Sequence, residues 1–336
     1  MAQLDTKKRK KEGKEDEGSD TEITDETIDV TFEFCDLNPI DYHALKHLIS
    51  QLLCINAPNS SVEPVSTNQS TPILPSKAQL KPVPKDIDVG ELTDILLSEQ
   101  KEWIGGTVKC DDESSDPYAF ASVLDMRAYQ AKPSVSSLTS YLLSSLASNT
   151  SCTESQDLLA TLNKSLKADG KGVGLLLSER LINMPVQVMP QLLSQIGSEI
   201  RHAQSKNAPG FAYDKLLIPS RVFFTPAESQ EADQINPSFD PIEPPEQQNL
   251  KVKKNKLDKS SEGVERCLYH PEDHIISQFA SHTVHFNLPV NEGETATKTA
   301  DVPAFGVKQE GRLMLIDLSK WDQMILNLMT YIGVQA

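Results

Sequence analysis

The most constraining feature of this sequence is an apolar run near its middle that carries charged residues. Residues 174–186 read GLLLSERLINMPV, with Ser178, Glu179 and Arg180 set between apolar residues. This composition is typical of a buried segment, where an unpaired charge costs on the order of several kcal/mol. We therefore predict a core strand that leads into a helix beginning near Pro190, with Glu179 or Arg180 paired to another group.

The same three residues also suggest a catalytic reading. Ser178 would be the nucleophile, Glu179 the base and Arg180 the group that binds an anion. Consecutive residues of a strand point to opposite faces of the sheet, so these side chains cannot converge on one substrate. The rest of the sequence shows no paired catalytic carboxylates, phosphate loop or Gly-x-Ser-x-Gly elbow. We therefore favour a structural role and predict no catalytic residues.

Strand-like and helix-like patterns alternate along the chain and predict an α/β fold, of the α+β type with a mixed sheet. Phe32 and Phe34 alternate with polar residues as in a half-buried strand, and Asp41 is placed to cap the helix that follows. Short β-compatible runs at 107–112 and 118–127 predict a hairpin. Leucines at helical spacing in 134–167 predict two inserted helices. Later strands are expected at 213–225, 282–288 and 311–318, with helices at 270–280 and 320–332.

Composition divides the chain into one folded domain and three polar parts. Residues 1–28 are predicted to form a disordered basic and acidic tail, and residues 57–88 a surface loop rich in proline and serine. Residues 227–262 are predicted to form a disordered insertion, acidic at first and then rich in lysine. Residues 29–226 and 263–334 together are predicted to form the single domain.

The charge of the chain restricts its partners. There are 48 Asp and Glu residues against 32 Lys and Arg, a net charge of −16. This excess opposes direct binding to nucleic acid or anionic lipid and favours a basic protein partner. No run approaches the roughly 18 apolar residues that a membrane span requires, so no membrane association is expected. The 5 cysteines are scattered without a CxxC pair or an apolar leader, which indicates a reducing, intracellular setting.

A block of consecutive basic residues stands near the start of the chain. Such a block is typical of a nuclear import signal, and similar blocks occur in the solvated tails of proteins that stay outside the nucleus. The acidic stretch that follows could engage a basic partner or serve only for solubility. The nuclear import candidates are Lys7, Lys8, Arg9, Lys10 and Lys11.

One group of residues has the composition of a metal site. Its members are Cys267, His270, His274, His282 and His285. His270 precedes a proline at the expected start of a helix, and His282 and His285 would point to opposite faces of a strand. We therefore expect helix-capping and surface histidines and no metal site.

The predicted order of elements resembles the GNAT-like acetyltransferase fold, in which a central strand feeds a loop that grips the cofactor pyrophosphate. That loop needs bare backbone amides at the start of a helix. Here the glycine-rich residues 167–172 precede the strand, and the loop after it contains Ile182, Asn183 and Pro185. Because proline has no amide hydrogen, we expect a GNAT-like fold with a helical insertion that lacks the cofactor loop and binds no cofactor. An acetyl-CoA-dependent acetyltransferase with an atypical loop is the alternative.

Several blocks of sequence together resemble the BCCIP family, whose fungal members are called Bcp proteins. The most specific block contains the signature residues Ser178, Glu179, Arg180, Asn183 and Pro185. The resemblance implies a GNAT-like fold without the acetyltransferase's cofactor loop, and it supplies no catalytic residues. The blocks lie between about residue 30 and residue 329 and read VTFEFCDLNPIDYHALKHLISQLL, GGTVK, DPYAFASVL, VGLLLSERLINMPVQVMPQLL, HPED, ASH and GRLMLI.

What the resemblance implies for function is a nuclear binding protein that shuttles to the cytoplasm. Fungal members of the family act as a dedicated chaperone of a ribosomal large-subunit protein and are linked to nuclear export of a phosphoinositide kinase. The expected partners are therefore a basic ribosomal protein, nuclear transport receptors and a phosphoinositide kinase. An acidic host suits a basic ribosomal protein, because it screens the Lys and Arg residues that would otherwise contact RNA non-specifically.

Overall fold

The computed structural model describes residues 31–54, 87–110, 112–167, 171–226, 264–288 and 309–333. The described residues from Phe32 onward form one compact unit. The predicted tail at 1–28, with its import candidates, lies outside the described residues. So do the predicted insertion at 227–262 and nearly all of the predicted loop at 57–88. No helix in the described ranges combines the length and apolar character needed to cross a membrane.

The described chain builds a mixed sheet of eight strands. Seven of them lie in the order β1-β2-β3-β4-β5-β8-β7, and β6 pairs with β5. Only β4 and β5 run parallel, and all other pairs are antiparallel. The strands are β1 (Phe32–Asp36), β2 (Gly106–Cys110), β3 (Ala119–Asp125), β4 (Gly172–Arg180), β5 (Tyr213–Pro226), β6 (Val264–Leu268), β7 (His282–Asn287) and β8 (Gln309–Asp317).

Helices cover both faces of this sheet. The first four pack on one face against such residues as Leu175 and Leu177, and the last three pack on the other face against such residues as Leu176. Two separate apolar cores result. The helices are α1 (Tyr42–Leu52), α2 (Val89–Asp94), which continues as a π-helical segment (Ile95–Gln100), α3 (Pro133–Ser148), α4 (Thr153–Ser165), α5 (Met189–Ser205), α6 (Asp273–Phe279) and α7 (Trp321–Ile332).

The predicted mixed sheet with helices is confirmed, including the hairpin of β2 and β3 and the two helices α3 and α4. The run at 174–186 is the inner strand β4 followed by a loop and helix α5, as predicted. β6 was not predicted, because the apolar residues around it are few and a lysine-rich stretch precedes it. Its backbone pairs with the far end of β5, a contact that local periodicity does not reveal.

The predicted position of Asp41 is confirmed, but its capping hydrogen bond is not. Asp41 is the N-cap residue of α1, and its side chain makes no hydrogen bond to that helix. Its carboxylate instead accepts a hydrogen bond from Lys109 Nζ at 2.7 Å, and both side chains are 1% exposed. A buried lysine on β2 needs a negative partner more than the helix end needs a cap, because helix-end amides can be satisfied in other ways.

Candidate functional site

The run SERLINMP lies where two central strands separate. β4 pairs with β5 only from Gly172 to Leu175, while β5 continues and pairs with β6 from Val222 onward. Within the described chain, residues 218–221 of β5 therefore have no strand partner on that side. The segment that connects β6 to α6 fills this space, and its Tyr269 amide donates to the Arg221 carbonyl at 3.2 Å. Contacts of this segment take the place of the backbone hydrogen bonds that β4 would otherwise make with β5 here.

Arg180 joins the end of β4 to this connecting segment. Its Nε and Nη2 donate to Glu272 Oε1 and Oε2 at 3.0 and 3.2 Å, and each side chain is 5% exposed. Its Nη1 donates to the Met184 carbonyl at 2.9 Å. The guanidinium thus holds both the segment before α6 and the loop after β4. A bidentate pair of this kind fixes orientation as well as charge.

Glu179 points to the opposite face of the sheet and makes two charged contacts. Its Oε2 accepts from Arg221 Nη2 at 2.6 Å, and its Oε1 lies 2.7 Å from His270 Nε2. The carboxylate is 1% exposed. The Arg221 guanidinium also stacks over the Tyr269 ring at 3.9 Å from its centre.

His270 connects the two faces. While its Nε2 meets Glu179, its Nδ1 lies 3.9 Å from Glu272 Oε1. Burial alone would lower the pKa of His270, but the hydrogen bond to Glu179 and the charges of Glu179, Glu272 and Asp273 raise it above its ordinary value. We call the six residues that meet here the buried charge cluster. They are Glu179, Arg180, Arg221, His270, Glu272 and Asp273.

Asp273, the first residue of α6, is the carboxyl group of the cluster without a close cation. It accepts a short hydrogen bond from Ser220 Oγ. Burial and, to a lesser extent, the charge of Glu272 raise the pKa of Asp273 to about 6, against the opposing effects of His270, Ser220 and Arg312. A carboxyl group with a raised pKa favours folding when it is protonated. Stability is therefore lost as pH rises from the ordinary pKa of 3.8 through about 6.

We expect Asp273→Asn to remove this pH dependence. The amide stays neutral at every pH, so the variant should gain about 2 kcal/mol in unfolding free energy relative to the wild type between pH 4 and pH 7. Urea unfolding of both proteins across that range measures the difference. Asp214→Asn, at an exposed position, is the control and should leave the curve unchanged. Parallel curves for wild type and Asp273→Asn would contradict the assignment.

The positions of Ser178, Glu179 and Arg180 can be compared with the catalytic interpretation of these residues. Glu179 and Arg180 diverge to different partners on opposite faces, and half-buried Ser178 lines a cavity beside Arg180 and His270. That cavity has a volume of about 30 Å³. It is large enough for about one or two water molecules and far smaller than ordinary ligand pockets of roughly 300–1,000 Å³.

The loop after β4 differs in exposure from the cluster. Asn183 and Pro185 are exposed, and the Ile182 side chain is 75% exposed. A short 3-10 turn (Val186–Val188) separates the loop from α5. Arg180 donates to the Met184 carbonyl and so fixes the backbone of this loop. The run SERLINMP therefore combines a buried anchor, Arg180, with an exposed apolar residue, Ile182.

The predicted histidine roles are corrected in one respect. His270 is 7% exposed and belongs to the buried charge cluster, so it is neither a surface nor a capping residue. His274 is exposed and lies against the Tyr331 ring at 5.6 Å. His282 and His285 lie on β7, opposite Leu315 and Arg312 of β8. Within the described ranges, no three His, Cys, Asp or Glu residues are arranged to hold a metal ion.

A second concave feature lies beside β1, at an edge of the sheet. This acidic cleft has a volume of about 360 Å³. Gly105 shapes it with a left-handed φ of 125°, and a Cβ there would lie 2.3 Å from Leu37 Cδ1. Its amide donates to Glu199 Oε2 at 2.9 Å. The cleft is lined by Asp36, Lys101, Glu102, Trp103, Ile104, Gly105, Ser198, Glu199 and His202.

Comparisons with known proteins show matches over most of the chain. The family model described as BCCIP matches residues 27–276. The chain belongs to the BCCIP family. Protein bcp1 of Schizosaccharomyces pombe is 31% identical over 90% of this chain and 89% of its own length. Protein bcp1 of Aspergillus fumigatus is 30% identical over 95% of this chain and 91% of its own length.

A solved structure of a related protein is also similar to this BCCIP-family chain. The crystal structure of BCP1 from Saccharomyces cerevisiae gives a TM-score of 0.49 at 21% sequence identity. The match covers 93% of each chain.

The charged step of this BCCIP-family protein could be predicted from its sequence, but its partners could not. Arg221 stood in a predicted strand and Glu272 in a predicted helix start, with nothing local to mark either as buried. The available signal was the pair of charges in the HPED block, which the family resemblance also contains. Two adjacent acids at the start of a short helix with apolar residues indicate pairing but cannot identify the arginine that supplies it.

Proposed function

We propose that this BCCIP-family protein is a non-enzymatic nuclear chaperone and adaptor built on a GNAT-like scaffold. Its client is a basic protein of the large ribosomal subunit, and by binding it the protein supports ribosome biogenesis. The observation that carries the proposal is the net charge of −16. A host with this excess attracts a basic client over a long range and repels the RNA that competes for it.

The described residues show where part of that charge lies. Asp36, Glu102 and Glu199 line the acidic cleft, whereas Arg180 and Arg221 are neutralised inside the protein. Each of these arginines is paired with a buried glutamate, so the pairs are neutral and the net charge is carried by the other residues. With three acidic residues against Lys101 and His202, the cleft is suited to a basic partner.

A non-enzymatic role is favoured over the acetyltransferase alternative by the end of β4. Arg180 and Glu272 occupy the space where β4 and β5 diverge, and the cavity left there has a volume of about 30 Å³. Pro185 also lacks the amide hydrogen that a phosphate-binding turn would use. Calorimetric titration with acetyl-CoA should therefore give no heat of binding, and micromolar binding would support the enzyme instead.

The proposal extends to cellular location and transport. We include nuclear import through Lys7, Lys8, Arg9, Lys10 and Lys11, return to the cytoplasm with nuclear transport receptors, and export of protein cargo such as a phosphoinositide kinase. The basic block at the start of the chain supports import. Transport partners are expected to be transient, whereas the ribosomal client should be stoichiometric.

Purification of the full chain from nuclear and cytoplasmic fractions at moderate salt tests these partners together. The expected dominant partner is one basic large-subunit protein in equal amount, identified by mass spectrometry. Its affinity, measured with the purified pair, should fall as salt rises, because screening weakens attraction between exposed charges. A chain with no ribosomal partner would overturn the chaperone role, and a stoichiometric kinase would favour a transport adaptor. An affinity indifferent to salt would contradict its electrostatic basis.

A further inference from the structure

The two edges of the sheet differ in how their backbone is covered. β7 forms one edge, where the Thr283 amide donates to Glu154 Oε1 at 2.7 Å and the His285 carbonyl accepts from Asn149 Nδ2 at 3.4 Å. Side chains from the α3–α4 region thus satisfy that edge. β1 forms the other edge. Among the described residues, only β2 hydrogen-bonds to the β1 backbone.

An uncovered edge strand is a template for another strand, because alternate residues direct amide and carbonyl groups outward. β1 runs antiparallel to β2 from Phe32 to Asp36, which gives five paired positions in register. Such an edge can accept an extended segment through main-chain hydrogen bonds, while neighbouring pockets select its side chains.

Acidic side chains follow the same edge. Glu33 lies on β1 and Asp36 ends it. Burial raises the pKa of the Cys35 thiol, the nearby charges of Glu113 and Glu33 raise it further, and Lys109 opposes the shift. Lys109, the cation that acts on Cys35, is paired with Asp41 inside the protein. The charge along β1 is therefore complementary to a segment that carries Lys or Arg.

β1 ends at the acidic cleft, which offers a place for one basic side chain. Asp36, Glu102 and Glu199 supply carboxylates, and burial raises the pKa of Glu199 while its hydrogen bonds from Gly105 and Gln195 oppose the shift. Half-buried Trp103 forms an aromatic wall, with its ring centre 6.5 Å from that of His202. An aromatic face beside carboxylates suits a lysine or arginine head group.

We propose that β1 and the acidic cleft together bind an extended basic segment of a partner protein. The segment adds to the sheet as a strand beside β1 and places a lysine or arginine against Trp103 in the cleft. This inference rests on the proposed function, because the client named there is a basic protein. It goes further by assigning the surface and the conformation of the bound segment.

The acidic residues that precede β1 argue against the binding of another segment of this chain to the β1 edge. The stretch that precedes β1 along the chain is strongly acidic and would be repelled by Glu33 and Asp36. The basic block Lys7–Lys11 is the segment of this chain with a complementary charge, so the test includes it. A segment of a partner protein is favoured because, unlike Lys7–Lys11, it can reach the β1 edge without bringing the acidic residues that lie between that block and β1.

The probe is a short fluorescein-labelled peptide of alternating lysine and threonine, added to the full chain at low salt. Anisotropy measures its affinity. Binding should also change tryptophan emission, because Trp103 lines the cleft whereas Trp321, the other of the 2 tryptophans, is 1% exposed. The peptide methylated on alternate backbone nitrogens keeps its charge but loses strand donors, and it should bind about tenfold more weakly.

The protein variant that tests the surface is Asp36→Lys with Glu102→Lys, which should weaken peptide binding by about tenfold. The matched control is Asp94→Lys with Asp157→Lys, which makes the same charge change at exposed positions of α2 and α4 and should leave the affinity close to that of the wild type. The same pair of variants is then compared for binding of the ribosomal client.

Each other outcome overturns the inference. Equal weakening by both double variants would mean that only net charge matters, and undiminished binding of the methylated peptide would exclude strand addition. Tighter peptide binding after replacement of residues 7–11 by alanine would assign the surface to the chain's own basic block. If the wild type binds the ribosomal client while the cleft variant binds it equally well, the proposed function stands and this surface is wrong.

Discussion

Glu179→Ala is expected to lower the free energy of unfolding by about 3–5 kcal/mol. The substitution leaves the Arg221 guanidinium, which lies 2.6 Å from the carboxylate, buried without its anion, and it removes the hydrogen bond to His270. His270 can lose its proton, but the arginine cannot become neutral and must remain charged in the core. Urea unfolding followed by circular dichroism at neutral pH measures the loss.

Two further variants make this test specific. Glu179→Gln keeps the shape and some hydrogen bonds, so it should cost less than the alanine variant. Glu102→Ala, at an exposed site, should change the unfolding free energy by no more than about 0.5 kcal/mol. If Glu179→Ala were as mild as Glu102→Ala, the buried charge cluster would not be a determinant of stability.

The pair formed by Arg180 and Glu272 should show strong coupling in a double-mutant cycle. Arg180→Met and Glu272→Leu are each expected to cost about 3 kcal/mol or more, because each leaves the other charge buried and unpaired. The double variant replaces both charges by apolar side chains of similar size. Its loss should be smaller than the sum of the single losses by about 2 kcal/mol or more.

The same variants separate a structural role from a binding role. Arg180→Ala should reduce folded yield, while the affinity of each folded molecule for its client stays unchanged. Additive losses in the cycle would show that the bidentate contact between Arg180 and Glu272 does not couple them. A loss of client affinity at unchanged stability would make the end of β4 a binding surface.

The need for partners could be predicted from local sequence, but their identities could not. Glu179 and Arg180 stand in an apolar run, and the cost of unpaired buried charge is a general property of apolar surroundings. Which residues supply the opposite charge depends on where β4 and β5 separate. Arg180 and Glu272 are far apart along the chain, so no local pattern relates them.

The mixed sheet could be predicted to the extent that its elements have regular periodicity. β4, α5 and the hairpin of β2 and β3 were found because their apolar residues repeat at the strand or helix spacing. β6 has too short and too polar a sequence for such a signal, and it becomes a strand by pairing with β5. The burial of His270 follows from that pairing, because β6 directs the next residues into the gap beside β4.

The amino-acid sequence alone was sufficient to establish an acidic, mixed α/β protein with a buried charged step, because charge and periodicity are local properties. It was also sufficient to indicate the family. The tertiary structure decided which charges meet, which sheet edge is open among the described residues and which acids line the cleft with Trp103. These features depend on strand order and on the divergence of β4 from β5, since both bring together residues that are distant along the chain.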